Sequence, residues 1–365
     1  MKAVICKEFG EATVAEVERP TPDPKEVLVE VLRVQLSVTE CQLFRGERVA
    51  HYETVAERID RGDGRLFGHE FCGRVLEVGA DITGLSEGDR VYAPGKIPCD
   101  TCKHCRTGFE LYCPNKMYIG YDRPGALAEY AAFPAAALTR IPSSVTDAEA
   151  AALQPLASSL LAVREAAVGF GDVVAVIGTG VMGYQCGQLA LQRGADRVYA
   201  VDVDAEKLAI AAERGLEPID ASDGDPVEEL TERTDGVGVD LTFEAVGGDQ
   251  THGSQGSDPL ARSLQATRSG GAVVQVGYIA GDLPVTPREF RTKSIDWINP
   301  TTGVIWTSPN THTGEHVARL VADGRVDIDA YVTHEVSGLN SVTEAVEITL
   351  NKQRHGARGP PQIVL

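Results

Sequence analysis

The chain has 365 residues, more than one ordinary domain, so two domains are expected. Its formal net charge of -19 lacks the basic footprint that nucleic-acid binding needs, so no nucleic-acid partner is expected. Hydrophobic residues make up 43%, enough for sizeable cores, yet no apolar stretch reaches the roughly 20 residues of a membrane span. The longest, 150–163, is interrupted by Gln154, Pro155 and two serines. Lys7 and Glu8 interrupt the apolar start, which reads as a first strand instead of a signal peptide, and a cytoplasmic protein is expected. The acidic balance leaves two readings open, a well-hydrated surface or adaptation to high salt.

Residues 1–156 read as short alternating strands punctuated by Gly and Pro, among them Val27–Val31, Gly73–Gly79 and Asp89–Ala93, which predicts a β-rich module. Tyr52, Tyr118 and Tyr121 fall in segments able to line a cleft, and the polar stretch 49–65 reads either as a gate or as a solvated surface helix. The texture changes over 157–294. The continuous apolar run Asp172–Ile177 suits a strand buried in a parallel sheet, and strands and helices alternate after it in a βαβ rhythm, with a polar loop at Gly253–Asp258. Over 295–365 the pattern turns mixed, with a helix near Gly314–Ala322 and a closing strand at Gln362–Leu365. The fold class is therefore α/β, a doubly wound parallel sheet joined to a β-rich domain.

Gly178-Thr179-Gly180-Val181-Met182-Gly183 follows the apolar strand and opens a helix. Gly178 permits the tight turn, Gly180 lets the backbone approach a pyrophosphate, and Gly183 lets helix and strand pack closely. The N-terminus of that helix, expected over Tyr184–Arg193, offers N–H groups and positive dipole to phosphates, and Val181 and Met182 of the glycine-rich loop are expected to bind the cofactor with it. Asp202 lies nineteen residues beyond Gly183 and ends the next apolar run, where it suits the adenine-ribose hydroxyls. A 2′-phosphate there meets a like charge at a cost of roughly 1 to 4 kcal/mol. The nearest following cation, Lys207, is five residues on, so NAD is expected over NADP.

Four of the eight cysteines are bunched as Cys99-x2-Cys102-x2-Cys105-x7-Cys113. Thiolates so spaced wrap a tetrahedral Zn²⁺, and a closed four-sulfur site is structural. Ferredoxin runs place the fourth cysteine after three residues, which argues against an iron–sulfur cluster. A zinc lobe is expected over about 95–116.

This combination resembles the zinc-type medium-chain alcohol and polyol dehydrogenases, with threonine, sorbitol and glucose dehydrogenases nearest in character. Gly68-His69-Glu70 running into Gly73–Gly79 is similar to that family's glycine-histidine-glutamate element, and Glu87–Val91 to its next strand. Phe243–Gly247 and Val274–Gly277, with Val246 and Gly277, are similar to segments bordering its nicotinamide. The resemblance implies a GroES-like catalytic domain, a Rossmann domain, a C-terminal segment returning to the first, and a homodimer or homotetramer acting on a small molecule.

The same resemblance implies a catalytic zinc, and here the sequence departs. In the family pattern a cysteine ligand belongs where Ser37 stands, and a glutamate or cysteine where Gln154 stands, while His69 and Glu70 are kept. Thr39 matches the hydroxyl that relays the substrate proton, Glu40 the usual acid, and Gln42 takes the place of a relay histidine. A neutral hydroxyl and an amide are poor zinc ligands beside thiolate and carboxylate. Three readings follow. In one, His69, Glu70 and water hold zinc weakly, with Cys41 as a replacement ligand, and the enzyme is an ordinary alcohol dehydrogenase. In another, no catalytic zinc binds, and Thr39, His69 or a tyrosine supports hydride transfer on an activated substrate. In the third, the protein binds a dinucleotide without catalysis.

Overall fold

The computed structural model describes residues 1–248, 259–279 and 287–365; the polar loop expected at 253–258 lies outside the described residues. The chain folds into two compact units, one formed by 1–158 with 303–365 and the other by 159–302.

Strands run in chain order as β1 (Lys2–Glu8), β2 (Glu11–Glu16), β3 (Glu26–Gln35), β4 (Glu70–Val78), β5 (Arg90–Tyr92), β6 (Tyr130–Pro134) and β7 (Thr139–Arg140). Six more belong to the second unit: β8 (Val173–Ile177), β9 (Arg197–Asp202), β10 (Glu217–Asp220), β11 (Val239–Glu244), β12 (Thr267–Gln275) and β13 (Asp296–Ile298). The last four are β14 (Thr307–Ser308), β15 (Thr311–His312), β16 (Glu335–Ser337) and β17 (Gln362–Val364).

In the first unit β1 and β2 pair as an antiparallel hairpin, while a larger sheet runs β16-β17-β3-β4-β5-β7, with β6 also paired to β3. The strand β3 is the hub. Val27, Leu28, Val29, Val31 and Val34 are all buried, since β-branched and apolar side chains fit a pleated surface covered on both faces. Its register sets Gln35 opposite Glu70 of β4 on one side and Gln362 of β17 on the other. The chain's final strand thus lies directly beside the strand that leads to Ser37. The core beneath includes Phe71, Phe133, Leu36 and Leu43 and is joined by Val342, Ala345 and Val346 of the helix Val342–Leu350.

The second unit is a six-stranded sheet in the order β10-β9-β8-β11-β12-β13. Every neighbouring pair in it is parallel. Strand order reverses between β8 and β11, the switch point where doubly wound sheets open a crevice at their carboxyl ends. The expected α/β class is what the chain adopts. The expected apolar run at Asp172–Ile177 became β8, buried from Val174 onward. Among the described residues no helix is long and apolar enough to cross a membrane.

Candidate active site and metal centre

Chain direction at the end of β3 creates a cap. Ser37 leaves the strand in an extended conformation, its Oγ accepts the Glu40 N–H at 3.2 Å, and Glu40 Oε2 accepts the Ser37 N–H at 3.0 Å. This reciprocal capping box starts the helix Val38–Phe44 and places Thr39 in its first turn. The other carboxylate oxygen of Glu40 accepts the backbone N–H of Gly68 at 2.7 Å and of His69 at 3.3 Å. It also stands 2.8 Å from His69 Nδ1, a contact governed by charge more than by hydrogen-bond aim. On the far side His69 Nε2 lies 3.7 Å from Glu70 Oε1, and Glu70 Oε2 accepts from Gln35 Nε2 at 2.7 Å. Gln35, Glu40, His69 and Glu70 are therefore one buried cluster.

Burial and charge compete in this cluster. Burial pushes the Glu40 carboxyl up, but His69 and the backbone N–H groups of Ser37 and Gly68 win, and it sits below its ordinary value. Burial pulls the His69 imidazole down, yet Glu40 more than offsets it and holds it above its ordinary value. For Glu70 the compensation falls short. Burial, helped by the charge of Glu40 and opposed by His69, raises it to about 7.

Aromatic rings close over His69. Its ring centroid lies 4.7 Å from that of Tyr118 and 5.5 Å from that of Tyr121, with the two tyrosines 4.8 Å apart. His51 stacks on Tyr121 at 4.6 Å, and its Nε2 is 3.3 Å from Lys96 Nζ. The stretch 49–65 contains a helix, Tyr52–Asp60, whose buried Arg58 donates to the carbonyls of Tyr121 and Arg65. Gln35, His51 and Lys96 are absent from any sequence pattern. Only pairing register and loop packing bring them here.

The remaining altered position is spent elsewhere. Gln154 is buried in the helix Leu153–Glu165, and its Nε2 donates to Ser158 Oγ at 3.3 Å. Cys41 is fully buried on the helix Val38–Phe44, with its thiol pushed up by burial first and by Glu40 second.

The cysteine lobe fits a metal. Cys99, Cys102, Cys105 and Cys113 hold their sulfurs within 4.8 Å of one another, with Cys102 Sγ 3.4 Å from Cys105 Sγ and 3.8 Å from Cys113 Sγ. Zinc–thiolate bonds of about 2.3 Å in a tetrahedron put sulfurs about 3.8 Å apart, so the four already stand at coordination spacing. Backbone N–H groups of Cys99, Cys102 and Cys105 point at sulfurs of Cys113, Cys99 and Cys102. Hydrogen bonds from Thr101 and from the Cys102 N–H bring the Cys99 thiol down to about 5, while burial and then the neighbouring Cys102 and Cys113 push the Cys105 thiol up to about 12. Among the described residues this is the one set of three or more His, Cys, Asp or Glu able to share an ion.

In the second unit, Gly178 turns at the end of β8 with φ 91°, and Gly180 caps the helix Val181–Arg193. A Cβ on Gly183 would lie 1.9 Å from the Gly178 carbonyl oxygen, whereas one on Gly180 would meet no heavy atom within 4 Å. Close packing is thus required at Gly183, and open space lies in front of Gly180. Val181, Met182 and Gly183 occupy the first turn, where N–H groups have no carbonyl within their own helix. Asp202 braces this loop from the end of β9. Its Oδ2 accepts the Thr179 N–H at 2.8 Å and the Thr179 hydroxyl at 2.9 Å, and its Oδ1 accepts the Val203 N–H at 2.8 Å. Lys207 Nζ stands 3.9 Å from Asp202 Oδ1 and 3.7 Å from Asp204 Oδ2, while Asp204 caps the helix Ala205–Glu213. At the ends of β11 and β12, a Cβ on Gly178 would press on Val246, and one on Gly277 would press on Gly247. The carboxyl ends of β8, β9, β11 and β12 therefore gather Gly178, Asp202, Val246 and Gly277.

A doubly wound sheet with a glycine-rich loop, in a chain that also carries a four-cysteine lobe, defines a zinc-binding dinucleotide dehydrogenase. Residues 23–143 match the alcohol dehydrogenase GroES-like domain and residues 181–323 the zinc-binding dehydrogenase domain. The chain belongs to the zinc-type medium-chain alcohol/polyol dehydrogenase family and is an NAD(P)-dependent enzyme. It is 29% identical over 339 residues to an L-threonine 3-dehydrogenase of Bacillus velezensis, covering 92% of each chain. It is 28% identical over 335 residues to an L-galactonate-5-dehydrogenase of Escherichia coli, covering 92% of this chain and 91% of that one. The crystal structure of galactitol-1-phosphate dehydrogenase from Escherichia coli, 23% identical, superposes over the whole of both chains with a TM-score of 0.84 and shares the fold.

Proposed function

We propose that this enzyme transfers hydride between NAD and a small alcohol or carbonyl substrate at a centre where the family's catalytic zinc is held weakly or not at all. The observation that carries the reading is the use made of Ser37. Its hydroxyl closes a helix cap on Glu40, and the Gln154 amide donates to Ser158, so neither supplies an anionic ligand. His69 turns Nδ1 to Glu40, which leaves Nε2, beside Glu70, as its only ring nitrogen for a ligand or substrate. One imidazole, His69, and one carboxylate, Glu70, fall short of the three protein ligands a catalytic tetrahedral zinc takes, so the set fits the metal poorly.

Bound NAD supplies the hydride acceptor, and Gly178, Gly180, Val181, Met182, Gly183, Asp202, Lys207, Val246 and Gly277 are the residues suited to hold it. Without a metal to polarise the substrate oxygen, that work falls to donors of the chain, among them His69, whose imidazole Glu40 raises above its ordinary value against the pull of burial. Thr39 takes the role of proton relay. Such a centre suits an activated alcohol or a conjugated carbonyl better than a plain alcohol. The test is zinc per chain in protein purified without added metal or chelator, combined with turnover on alcohols, polyols, ketones and enones. About one equivalent supports the reading; about two refutes it and makes the enzyme an ordinary zinc-dependent alcohol or polyol dehydrogenase, the second reading favoured by its relatives. A large gain in alcohol oxidation on Ser37→Cys with Gln154→Glu would reveal that the scaffold still accommodates the metal.

NAD is the expected cofactor, because a 2′-phosphate would meet Asp202 and Asp204, with Lys207 already paired to both. Equal kcat/KM with NAD and NADP would refute this. A reducing cytoplasm suits eight free cysteines. We further propose a homodimer or homotetramer, checked by size exclusion. For the acidic surface we propose high-salt adaptation, checked by stability from low to molar salt; no change would count against it.

A further inference from the structure

Lys96 is a cation held in place without a carboxylate partner. Its backbone is fixed on both sides, the N–H donating to the Gly303 carbonyl at 2.7 Å and its own carbonyl accepting from Ile305 at 3.0 Å. Its ammonium meets His51 Nε2 at 3.3 Å and lies 4.8 Å from the centroid of the Tyr118 ring. No carboxylate stands within 4 Å of it among the described residues. An ammonium has three donors, so two remain after His51 is served. The ring that carries it is also the ring packed 4.7 Å from His69. Ammonium and His69 thus pack against the same tyrosine ring, each under 5 Å from its centroid.

Half-burying a lysine charge costs free energy unless an anion or a π-face compensates it. Tyr118 covers one side only. We propose that Lys96, braced by His51 and Tyr118, receives a carboxylate of the substrate while the reacting carbinol or carbonyl lies at His69, which makes the substrates hydroxy or keto acids of a few carbons. This deepens the hydride-transfer reading above and rests on it for the position of the reacting carbon.

Charge count selects carboxylate over phosphate. His51 is neutral near pH 7, its imidazole brought down to about 4 by burial first and then by Lys96 and His69. Lys116 and Asp122, the other charges acting on Lys96, are opposite in sign. One net positive charge matches a monoanion, whereas a phosphate dianion is usually met by several cations or an arginine fork.

The experiment compares matched pairs, gluconate with sorbitol and galactonate with galactitol, together with glucose 6-phosphate, as ligands of the NADH-saturated enzyme. Thermal shift and calorimetric titration give binding without turnover. Aldonates are expected to bind and raise the melting temperature where their alditols do not. Lys96→Met should weaken aldonate binding about 10- to 100-fold, the worth of one charge-assisted hydrogen bond, and Lys96→Arg should restore part of it. Equal binding of aldonates and alditols by the wild-type enzyme overturns the proposal even if Lys96→Met fails to fold. Tighter Lys96-dependent binding of the phosphate ester overturns the choice of carboxylate. Lys96-dependent aldonate binding with no NADH formed from any substrate would uphold this site and refute hydride transfer. Oxidation of neutral alcohols as efficient as that of aldonates would do the reverse.

Discussion

Glu40→Gln is the most informative single change in the first unit. The carboxylate is 1% exposed and has every lone-pair direction in use, accepting from Ser37 N–H, Gly68 N–H and His69 N–H while facing His69 Nδ1 at 2.8 Å. Glutamine keeps one acceptor oxygen and turns the other into an NH₂ donor, which must then face an N–H donor of the loop. Removing one partner of a buried ion pair costs about 3–5 kcal/mol, and a charge-assisted hydrogen bond lost from the same group, about 1.5–3 kcal/mol, is part of that figure. At roughly 2–4 °C per kcal/mol for a unit of this size, the melting temperature should fall on the order of 10 °C. The pH dependence has a definite sign. Glu40 lies below its ordinary 4.5 in the fold, so its stabilisation is present above that value and fades as pH falls. His69 lies above its ordinary 6.5, so its stabilisation is present below that value and fades as pH rises through its folded value. The difference between wild type and variant should therefore be greatest between about pH 4.5 and 6.5. Calorimetry across that range, with NMR titration of His69, is the assay. In the variant, burial, the largest influence, and Lys96 outweigh the remaining pull of Glu70, so the ring's pKa should drop below the ordinary value. A loss under about 1 kcal/mol, or a His69 titration unchanged, would refute the assigned role of the pair.

Other expectations follow from single contacts. Cys113→Ser should lower zinc content and open residues 95–116 to protease, because a structural zinc contributes on the order of 10 kcal/mol to local folding; unchanged zinc would contradict the four-sulfur site. Gly183→Ala should destabilise by about 1–3 kcal/mol through overpacking, since its Cβ would lie 1.9 Å from the Gly178 carbonyl oxygen. Gly180→Ala meets nothing within 4 Å, so it should leave folding alone and weaken dinucleotide binding; the opposite pattern would reverse the roles of the two glycines. His51 sits near 4 in the fold against an ordinary 6.5, so stability should be lost as pH falls through that window. The loss has a ceiling of about 3 kcal/mol, reduced by the ring's partial contact with water. His51→Asn, which tolerates the left-handed φ of 70° there, should flatten that decline in acid-denaturation curves.

Much of this molecule was legible in the chain because the signals are local. A thiol quartet spaced by two, two and seven residues needs only a short loop to converge, and the four sulfurs do converge. Gly178, Gly180 and Gly183 act through backbone geometry over six residues, so their sequence context was enough to place them between β8 and a helix. Ser37 and Gln154 were readable as departures from a pattern, since a missing anion is visible without coordinates. Their actual occupations were not. That Ser37 closes a capping box depended on where β3 ends, and that Gln154 donates to Ser158 depended on the course of its helix. Contacts of long sequence separation lay wholly beyond local pattern. Gln35 meets Glu70 through strand register and Gln362 meets Gln35 across 327 positions of chain. Lys96 reaches His51 because two loops, each ordinary in composition, are packed against the same tyrosine, Tyr118. Sequence determined which chemistry was available, because residue type and short spacing are written in the chain; tertiary structure alone decided which groups share a low-dielectric space, and in that space a carboxylate can raise an imidazole against the pull of burial.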